Sequence, residues 1–450
     1  MSVGRKLSAS SIRSESPFVF AAVPNAEADE WTKTWQTVFA RDLIDSPVVA
    51  VDAETTVEDA CELLLSKNIM CIAVNQSSNG SPHASPYIGL FDFSDVNTFL
   101  TLAATRHRWS AEELRDNPRI DEIYAAAKAG RVPVRLVSNL SEKNPLETLR
   151  HDATVLELLS VFAKGTHRGT TSLAALTPDS ATEYLGMVSD RSLLAWFASE
   201  AQRLSSFHSY LSNTLSSLNL PSLYLYSSVV AAKASDSVLD AMKLMSDQGV
   251  SSVAVIEEET GGLLSAVSVT DIGKVVVPSQ SNQILTMPLK QFISIVKEPD
   301  GSTDGVDKYP VYSVLPSSTL LYTIQKLIAT RAHRLFVTDE SQILSPSSLS
   351  STSGNLSGIV SIVDILSLFA RIANLPDVDP TRMQRHRRAS STSTSSSLSK
   401  SPLNHSSDQA LVRSRSNSRA SFQRRSAGDS LRNSVSSLES FQWADRVPKP

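Results

Sequence analysis

The chain has 450 residues, of which 41% are hydrophobic, and its 42 basic and 46 acidic residues give a formal net charge of −4 at pH 7. This composition allows two or three domains with buried cores, and no apolar run approaches the ~18 residues of a membrane helix. The N-terminus lacks the apolar core of a signal peptide, so we expect a soluble intracellular protein. The two cysteines, Cys61 and Cys71, are expected to be buried apolar residues, because no histidine or acid joins them at metal-ligand spacing.

A helix with an aromatic face is predicted near the start of the chain. The first 30 residues are serine-rich, and we predict that they are disordered. Directly after them, Trp31, Trp35 and Val38 recur at the spacing of one helical face. We expect this face to pack against the first structural unit that follows it.

Four later stretches share one pattern. They end in similar octapeptides, which are residues 89–96 (GLFDFSDV), 186–193 (GMVSDRSL), 265–272 (SAVSVTDI) and 358–365 (GIVSIVDI). Each ending follows a helical stripe of apolar residues, namely Val57, Ala60, Cys61 and Leu64; Val155, Leu158, Leu159 and Phe162; Val238, Ala241, Met242 and Met245; and Leu320, Thr323, Ile324 and Leu327. A short apolar run separates each stripe from its ending, so we predict a repeated unit of helix, strand, loop, strand and helix.

The repeats set the predicted domain boundaries. These are a disordered segment at 1–30, repeat 1 at 31–105, a helical insert at 106–142, repeat 2 at 143–202, a linker at 203–222, repeat 3 at 223–283, repeat 4 at 284–375 and a disordered tail at 376–450. In the insert, Ser110 and Glu113 have the spacing of a capping box, and Pro118 interrupts the helix. Two interpretations of the insert stay open: a packed lid that shields a sheet edge, or a segment that covers a groove or binds a partner.

The tail differs from the rest of the chain in composition and charge. From Thr381 onward it holds 13 of the 42 basic residues and 4 of the 46 acidic ones, so that the remainder carries 29 basic and 42 acidic residues. Most of its arginines stand two or three residues before a serine and few aromatic residues accompany them, which favours kinase recognition over nucleic-acid binding. The predicted phosphorylation sites are Ser390, Ser421, Ser426 and Ser434 for basophilic kinases and Ser401 for a proline-directed kinase.

The fourth repeat points to a family. Residues 332–339 (AHRLFVTD), followed by 358–366 (GIVSIVDIL), resemble the last CBS repeat of the γ subunit of AMP-activated protein kinase. The resemblance covers roughly residues 37–373. It implies an α/β fold of four α+β CBS domains, paired as repeats 1 with 2 and 3 with 4 into two Bateman modules. The order of repeats and tail is also similar to that of fungal four-CBS-repeat proteins, a family of cell-cycle and stress regulators that restrain a type 2A-like phosphatase.

A nucleotide site is predicted where a strand turns into a closing helix. A carboxylate there can take ribose hydroxyls, and hydroxyl and backbone N–H groups can face a phosphate; the resemblance implies the same roles. These residue types are also preferred helix caps, so a purely structural role stays open. The predicted binding residues are Ser268, Thr270, Asp271, Arg331, His333, Arg334, Ser361 and Asp364, with weaker candidates at Asp95, His167 and Arg168. The expected regulatory ligand is AMP, ADP or ATP, and no metal is expected.

The first module departs from this pattern. Ser192 stands where an aspartate is expected, and Asp92 places a negative charge where a hydroxyl would approach the phosphate. We therefore expect no tight nucleotide binding in that module.

No catalytic motif accompanies the repeats, so we expect no enzyme. The resemblance implies a cytoplasmic and nuclear regulator that inhibits a type 2A-like phosphatase in control of the cell cycle, cell separation, DNA replication and the stress or nutrient response. The expected partners are that phosphatase or a kinase complex, together with basophilic and proline-directed kinases that act on the tails; neither membrane nor nucleic acid is expected. The alternative that stays open is a γ-type nucleotide-sensing subunit of a heterotrimeric protein kinase.

Overall fold

A computed structural model describes most of the chain between residues 25 and 378. The described residues are 25–76, 86–106, 109–143, 145–166, 168–173, 183–218, 220, 223, 229–259, 261–279, 283–297, 312–338, 356–376 and 378. The predictions for residues 1–24 and for the tail from residue 381 onward, including its five phosphorylation sites, lie outside them. The predicted disorder of residues 25–30 is wrong, because these residues begin a helix. Within this part of the chain, no helix is long and apolar enough to cross a membrane.

Four repeats of the same architecture make up the fold. Repeat 1 holds β1 (Ala50–Val51), α2 (Val57–Ser66), β2 (Cys71–Asn75), β3 (Tyr87–Asp92) and α3 (Phe93–Ala104). Repeat 2 holds β4 (Glu147–Arg150), α7 (Val155–Phe162), β5 (Arg168–Leu173), β6 (Glu183–Ser189) and α8 (Asp190–Arg203). Repeat 3 holds β7 (Ala231–Lys233), α10 (Val238–Asp247), β8 (Ser252–Ile256), β9 (Leu263–Ser268) and α11 (Val269–Ser279). Repeat 4 holds β10 (Ser313–Val314), α14 (Leu320–Ala329), β11 (Arg334–Thr338), β12 (Leu356–Ser361) and α15 (Ile362–Ile372).

Helices outside the repeats complete the described structure. They are α1 (Asn25–Thr37), α4 (Ala111–Asp116), α5 (Pro118–Lys128), α6 (Val134–Val137), α9 (Ser205–Leu211), α12 (Gln283–Thr286) and α13 (Leu289–Lys297), with short 3-10 turns at Ala40–Leu43 and Leu215–Leu218.

The first helix of each repeat forms where the apolar stripe predicts it. All four stripes are buried, and every one of these helices begins after a threonine or serine. The Thr56 hydroxyl, for example, accepts a hydrogen bond from the backbone N–H of Asp59. The sequence did not predict the short strand that precedes each helix. Such strands of two to four residues are too short to show alternation, and they form because the backbone pairs in parallel with the next strand, as Ala50 does with Ala73.

The sheets pack within each predicted module. Between repeats 1 and 2, the Sγ of Cys71 lies 3.8 Å from the Sδ of Met187, and the rings of Tyr87 and Tyr184 lie 5.2 Å apart. Repeats 3 and 4 share a cluster that contains Phe336 and residues of β8 and β9. The predicted fold of paired CBS repeats is therefore confirmed.

The larger cores lie between the modules. Helix α3 of repeat 1 packs against α10 and α11 of repeat 3, and α8 of repeat 2 packs against α14 and α15 of repeat 4. At Gly273 of α11, an added Cβ would overlap the Phe93 ring. The modules cannot separate without exposing both cores, since each core draws on one repeat from each module.

One segment outside each repeat docks on the start of its first helix; we call these the docking segments. The N–H groups of Val57, Val155, Val238 and Leu320 donate to the carbonyls of Val132, Val38, Met287 and Asn213, respectively, over 2.9–3.0 Å. The insert thus docks on the first helix of repeat 1 in the same way that residues 25–43 dock on the first helix of repeat 2. Its Ile123 and Val134 are buried in the core, and the Tyr124 hydroxyl donates to the Leu102 carbonyl. These contacts favour the packed interpretation of the insert.

The expectation that the N-terminal aromatic helix packs on repeat 1 is wrong. Trp31 and Trp35 are fully buried against Phe197 of repeat 2, Phe207 of α9 and Phe369 of repeat 4. The segment that precedes each module packs against the second repeat of that module. The first repeat is instead contacted by the segment that follows this first repeat in sequence. A segment that precedes a repeat directly in sequence therefore does not pack against that repeat here.

Candidate functional site

A pocket of about 390 Å³ opens where repeats 1, 3 and 4 meet and α8 of repeat 2 begins. One part of its lining is apolar and includes Ala266, Tyr312 and Phe336 at the sheet interface of the second module. Repeat 1 adds further apolar lining, which includes Leu64, Ile69 and Phe93. The polar lining holds six of the predicted binding residues, namely Ser268, Thr270, Asp271, Arg331, His333 and Arg334. We call the turn from the last strand of a repeat into its closing helix the corner of that repeat. The fold brings the corner of repeat 3, between β9 and α11, to the basic residues of repeat 4.

The corner of repeat 3 presents a carboxylate. Asp271, in the first turn of α11, accepts hydrogen bonds at Oδ2 from the backbone N–H of Ser268 at 2.9 Å and from its hydroxyl at 2.7 Å. The Ser268 hydroxyl in turn accepts from the Asp271 N–H at 3.2 Å. Asp271 thus caps the helix, and it also remains half-buried on the pocket wall.

The basic residues of repeat 4 stand on the junction between α14 and β11. Arg331 is left-handed there, with φ of 53°. The equivalent positions of the other repeats, Asn68, Gly165 and Gly249, are left-handed as well and hold residues that tolerate this conformation. An arginine that lines the pocket at a strained position is typical of a functional site.

Arg331→Gly should make the ligand-free protein more stable, by about 0.5–1 kcal/mol. A left-handed residue with a Cβ costs roughly 1–2 kcal/mol, and the extra freedom of glycine in the unfolded chain offsets about half of that gain. Urea unfolding measures the change, and Asn68→Gly is the matched control with a smaller gain, because asparagine tolerates the conformation. A loss of stability in Arg331→Gly would show instead that the arginine side chain stabilises the fold.

Among the polar residues of the pocket that the sequence analysis missed, Arg191, Lys274 and Ser251 stand out by charge or burial. Arg191 of repeat 2 lines it and donates from Nη2 to the Arg331 carbonyl at 2.7 Å, and Lys274 stands one turn after Asp271. Ser251 is 9% exposed, and its hydroxyl has no hydrogen-bond partner among the described residues. The position of Lys274 could have been found from helical periodicity, whereas the contribution of Arg191 depends on packing between modules.

Two further predicted residues, Ser361 and Asp364, do not line this pocket. Asp364 is 1% exposed, and its carboxylate accepts hydrogen bonds from the backbone N–H and the hydroxyl of Ser361. The two residues form the same kind of capping box as Asp271 and Ser268. Arg168 begins β5 in repeat 2, but its side chain lies outside the described structure, as does all of His167. Asp271 is thus the corner carboxylate that the described pocket exposes.

Asp95, the corner residue of repeat 1, is enclosed by the insert. It is fully buried, and it accepts hydrogen bonds from the backbone N–H groups of Ser141 at 2.8 Å and Asp92 at 3.1 Å. Burial, followed by the nearby charge of Asp92, raises the pKa of Asp95 to about 8, although these hydrogen bonds act in the opposite direction. Asp92 itself lines the pocket and caps α3.

The raised pKa of Asp95 predicts a loss of stability at alkaline pH. The folded chain holds a proton that the unfolded chain, with its ordinary value of 3.8, releases, so the stabilisation is present at low pH and is lost as the pH rises through about 8. Between pH 7 and pH 9 this loss is on the order of 1 kcal/mol, and Asp95→Asn should remove it from the pH profile. Urea unfolding across that range measures the effect. Asp240→Asn, at the exposed cap of α10, should keep the wild-type profile; an unchanged profile in Asp95→Asn would contradict the assignment.

Comparison with known proteins agrees with this architecture. The CBS domain family model matches residues 40–100 and 225–277, which fall in repeats 1 and 3. The sds23 protein of Aspergillus niger is 28% identical over 412 residues, covering 80% of this chain and 77% of that protein. SDS23 of Scheffersomyces stipitis is 28% identical, covering 81% and 74% of the two chains. The chain is thus similar to the fungal SDS23 proteins and matches the CBS domain model in two of its repeats.

A solved structure supports the fold independently. The protein MJ1225 of Methanocaldococcus jannaschii, described as a putative archaeal homolog of the γ subunit of AMP-activated protein kinase, superposes with a TM-score of 0.50 at 15% identity. The match covers 74% of this chain and all of that protein. The CBS-domain matches and the similarity to the SDS23 proteins support a non-catalytic regulatory protein.

Proposed function

We propose that the chain senses an adenine nucleotide in the pocket between its modules. The observation that carries the proposal is the half-buried carboxylate of Asp271, which shares one cavity with Arg331, His333 and Arg334 and with the apolar sheet interface. An adenine suits the apolar part, the two ribose hydroxyls suit the carboxylate, and a phosphate suits the guanidinium groups. The ring of Phe336 and the methyl of Ala266 provide the apolar part.

The charge of the pocket favours an anionic ligand. Arg191, Lys274, Arg331 and Arg334 bring four positive charges to its lining, against the carboxylates of two aspartates, Asp92 and Asp271. The first turn of α11 adds backbone N–H groups and the positive end of a helix dipole. Because Asp95 and Asp364 are buried within their own repeats, we expect one nucleotide per chain.

Thermal and calorimetric titration of the full chain tests the proposal. At 100 times its dissociation constant, a ligand that binds only the folded state stabilises it by about 2.7 kcal/mol, which raises the midpoint of unfolding. AMP, ADP and ATP should be compared with inorganic phosphate, and calorimetry should give a stoichiometry near one. Without a shift at millimolar nucleotide, the corners act only as helix caps.

The proposed output is regulation of a type 2A-like protein phosphatase in the cytoplasm and nucleus, with the basic tail as a substrate of basophilic and proline-directed kinases. This part rests on the resemblance to the fungal four-repeat proteins and on the contrast between the acidic body and the basic tail. The γ-like fold favours a second candidate, a γ-type subunit of a heterotrimeric kinase. Affinity purification of the tagged chain with mass spectrometry separates the two, because it recovers phosphatase subunits in one case and kinase subunits in the other.

A further inference from the structure

The start of α8 in repeat 2 lies against the basic residues of repeat 4. The Oδ2 of Asp190 is 3.5 Å from the Nδ1 of His333. Next to this pair, Arg191 donates to the carbonyl of Arg331. The first turn of α8 thus contacts both ends of the segment 331–333, which forms one wall of the pocket.

A buried acid at this position needs an explanation. Asp190 is 1% exposed, and it is the first residue of α8. The equivalent first residues of the closing helices in repeats 1, 3 and 4 are Phe93, Val269 and Ile362, all of them apolar and buried. Burying a carboxylate where the fold otherwise places a hydrocarbon side chain is costly unless the charge has a partner.

Capping of α8 does not account for Asp190. The Ser189 hydroxyl accepts from the N–H of Ser192, and the Ser192 hydroxyl reaches back to the Ser189 backbone, so those two serines form the cap. A carboxylate in the first turn gains about 0.3–1 kcal/mol from the helix dipole, which is less than the penalty of burying it. Among the described residues, a charged group that lies beside it is His333 of the other module.

We propose that Asp190 is a positioning residue for the pocket: it orients the His333 ring so that Nε2 faces the ligand. A carboxylate beside Nδ1 keeps a proton on that nitrogen and fixes the ring, and the ring donates to a phosphate from Nε2 when both of its nitrogens carry a proton. Repeat 2 has a serine, Ser192, in place of the corner aspartate, and in this arrangement its closing helix serves the site of the second module. The inference rests on the proposed nucleotide site.

Two measurements on the full chain test this inference. The first needs no ligand: nitrogen-detected NMR of His333, assigned with His333→Gln, should show the Nδ1–H tautomer in the wild type and a changed tautomer balance in Asp190→Asn. The second compares AMP with adenosine by calorimetry. Asp190→Asn and Asp190→Ala should weaken AMP about tenfold, the loss typical of one hydrogen bond to a charged group, and leave adenosine unchanged, since His333 serves the phosphate.

A double-mutant cycle and a control variant complete the experiment. Asp190→Asn combined with His333→Gln should bind AMP no more weakly than His333→Gln alone, because Asp190 acts through the ring. Glu157→Ala removes the capping box of α7 in the same repeat and should leave the ratio of AMP to adenosine affinity unchanged. Additive losses, equal losses for AMP and adenosine, or an unchanged His333 tautomer would each overturn the role of Asp190. A changed tautomer in a chain that binds no nucleotide would instead refute the proposed site and leave the contact with His333 standing.

Discussion

Trp35→Ala should lower the free energy of unfolding by about 3–5 kcal/mol, the range for truncating a fully buried aromatic side chain. Trp35 projects from α1 and packs 4.9 Å from the Phe197 ring, 5.8 Å from Phe207 and 6.2 Å from Phe369. Those rings belong to α8, α9 and α15, so that one side chain joins both repeats of this core and the linker between modules. Urea unfolding of the full chain, followed by circular dichroism, measures the loss.

The control for this prediction is Trp196→Ala. Trp196 neighbours Phe197 on α8 but is only partly buried, so its truncation should cost clearly less. The comparison separates the effect of the buried position of Trp35 from the general effect of removing a tryptophan side chain. If Trp35→Ala stayed within about 1 kcal/mol of the wild type, α1 would not be integral to the core.

The elements that the sequence predicts well are those with a local cause. The stripe that contains Val57 and Leu64 has a helical period, and the hydroxyl at Thr56 marks the start of that helix. The short strands have no such signal, since β1 is set by backbone pairing with β2. The docking of Trp35 is also not local, because its partners come from three helices far along the chain.

The candidate site shows the same limit of sequence reasoning. Asp95, Asp271 and Asp364 follow the same motif and occupy the same position in the first turn of a closing helix. Their environments differ because different chain segments pack against them: the N–H of Ser141 reaches Asp95, whereas the corner of Asp271 faces the cavity. A motif predicts the cap, and the packing of the neighbouring repeat decides whether the carboxylate is exposed.

Asp271→Ala should abolish the stabilisation by adenine nucleotide, about 2.7 kcal/mol at 100 times the dissociation constant, while Asp364→Ala should retain it. Both aspartates form the same capping box, with Ser268 and Ser361, so each substitution should cost the ligand-free protein about 0.5–2 kcal/mol. They differ in position, because Asp271 lines the pocket and Asp364 is enclosed in repeat 4. Unfolding in urea with and without nucleotide measures both quantities in each variant.

The comparison isolates the binding role of the carboxylate from its capping role. If nucleotide stabilised Asp271→Ala as much as the wild type, the ribose would not be held at the corner of repeat 3. If Asp364→Ala alone lost the effect, the nucleotide would bind at the corner of repeat 4, which would have to open to expose its carboxylate. Loss in Asp271→Ala together with retention in Asp364→Ala is the result expected from a single site, since the pocket offers the ligand the Asp271 carboxylate and not that of Asp364.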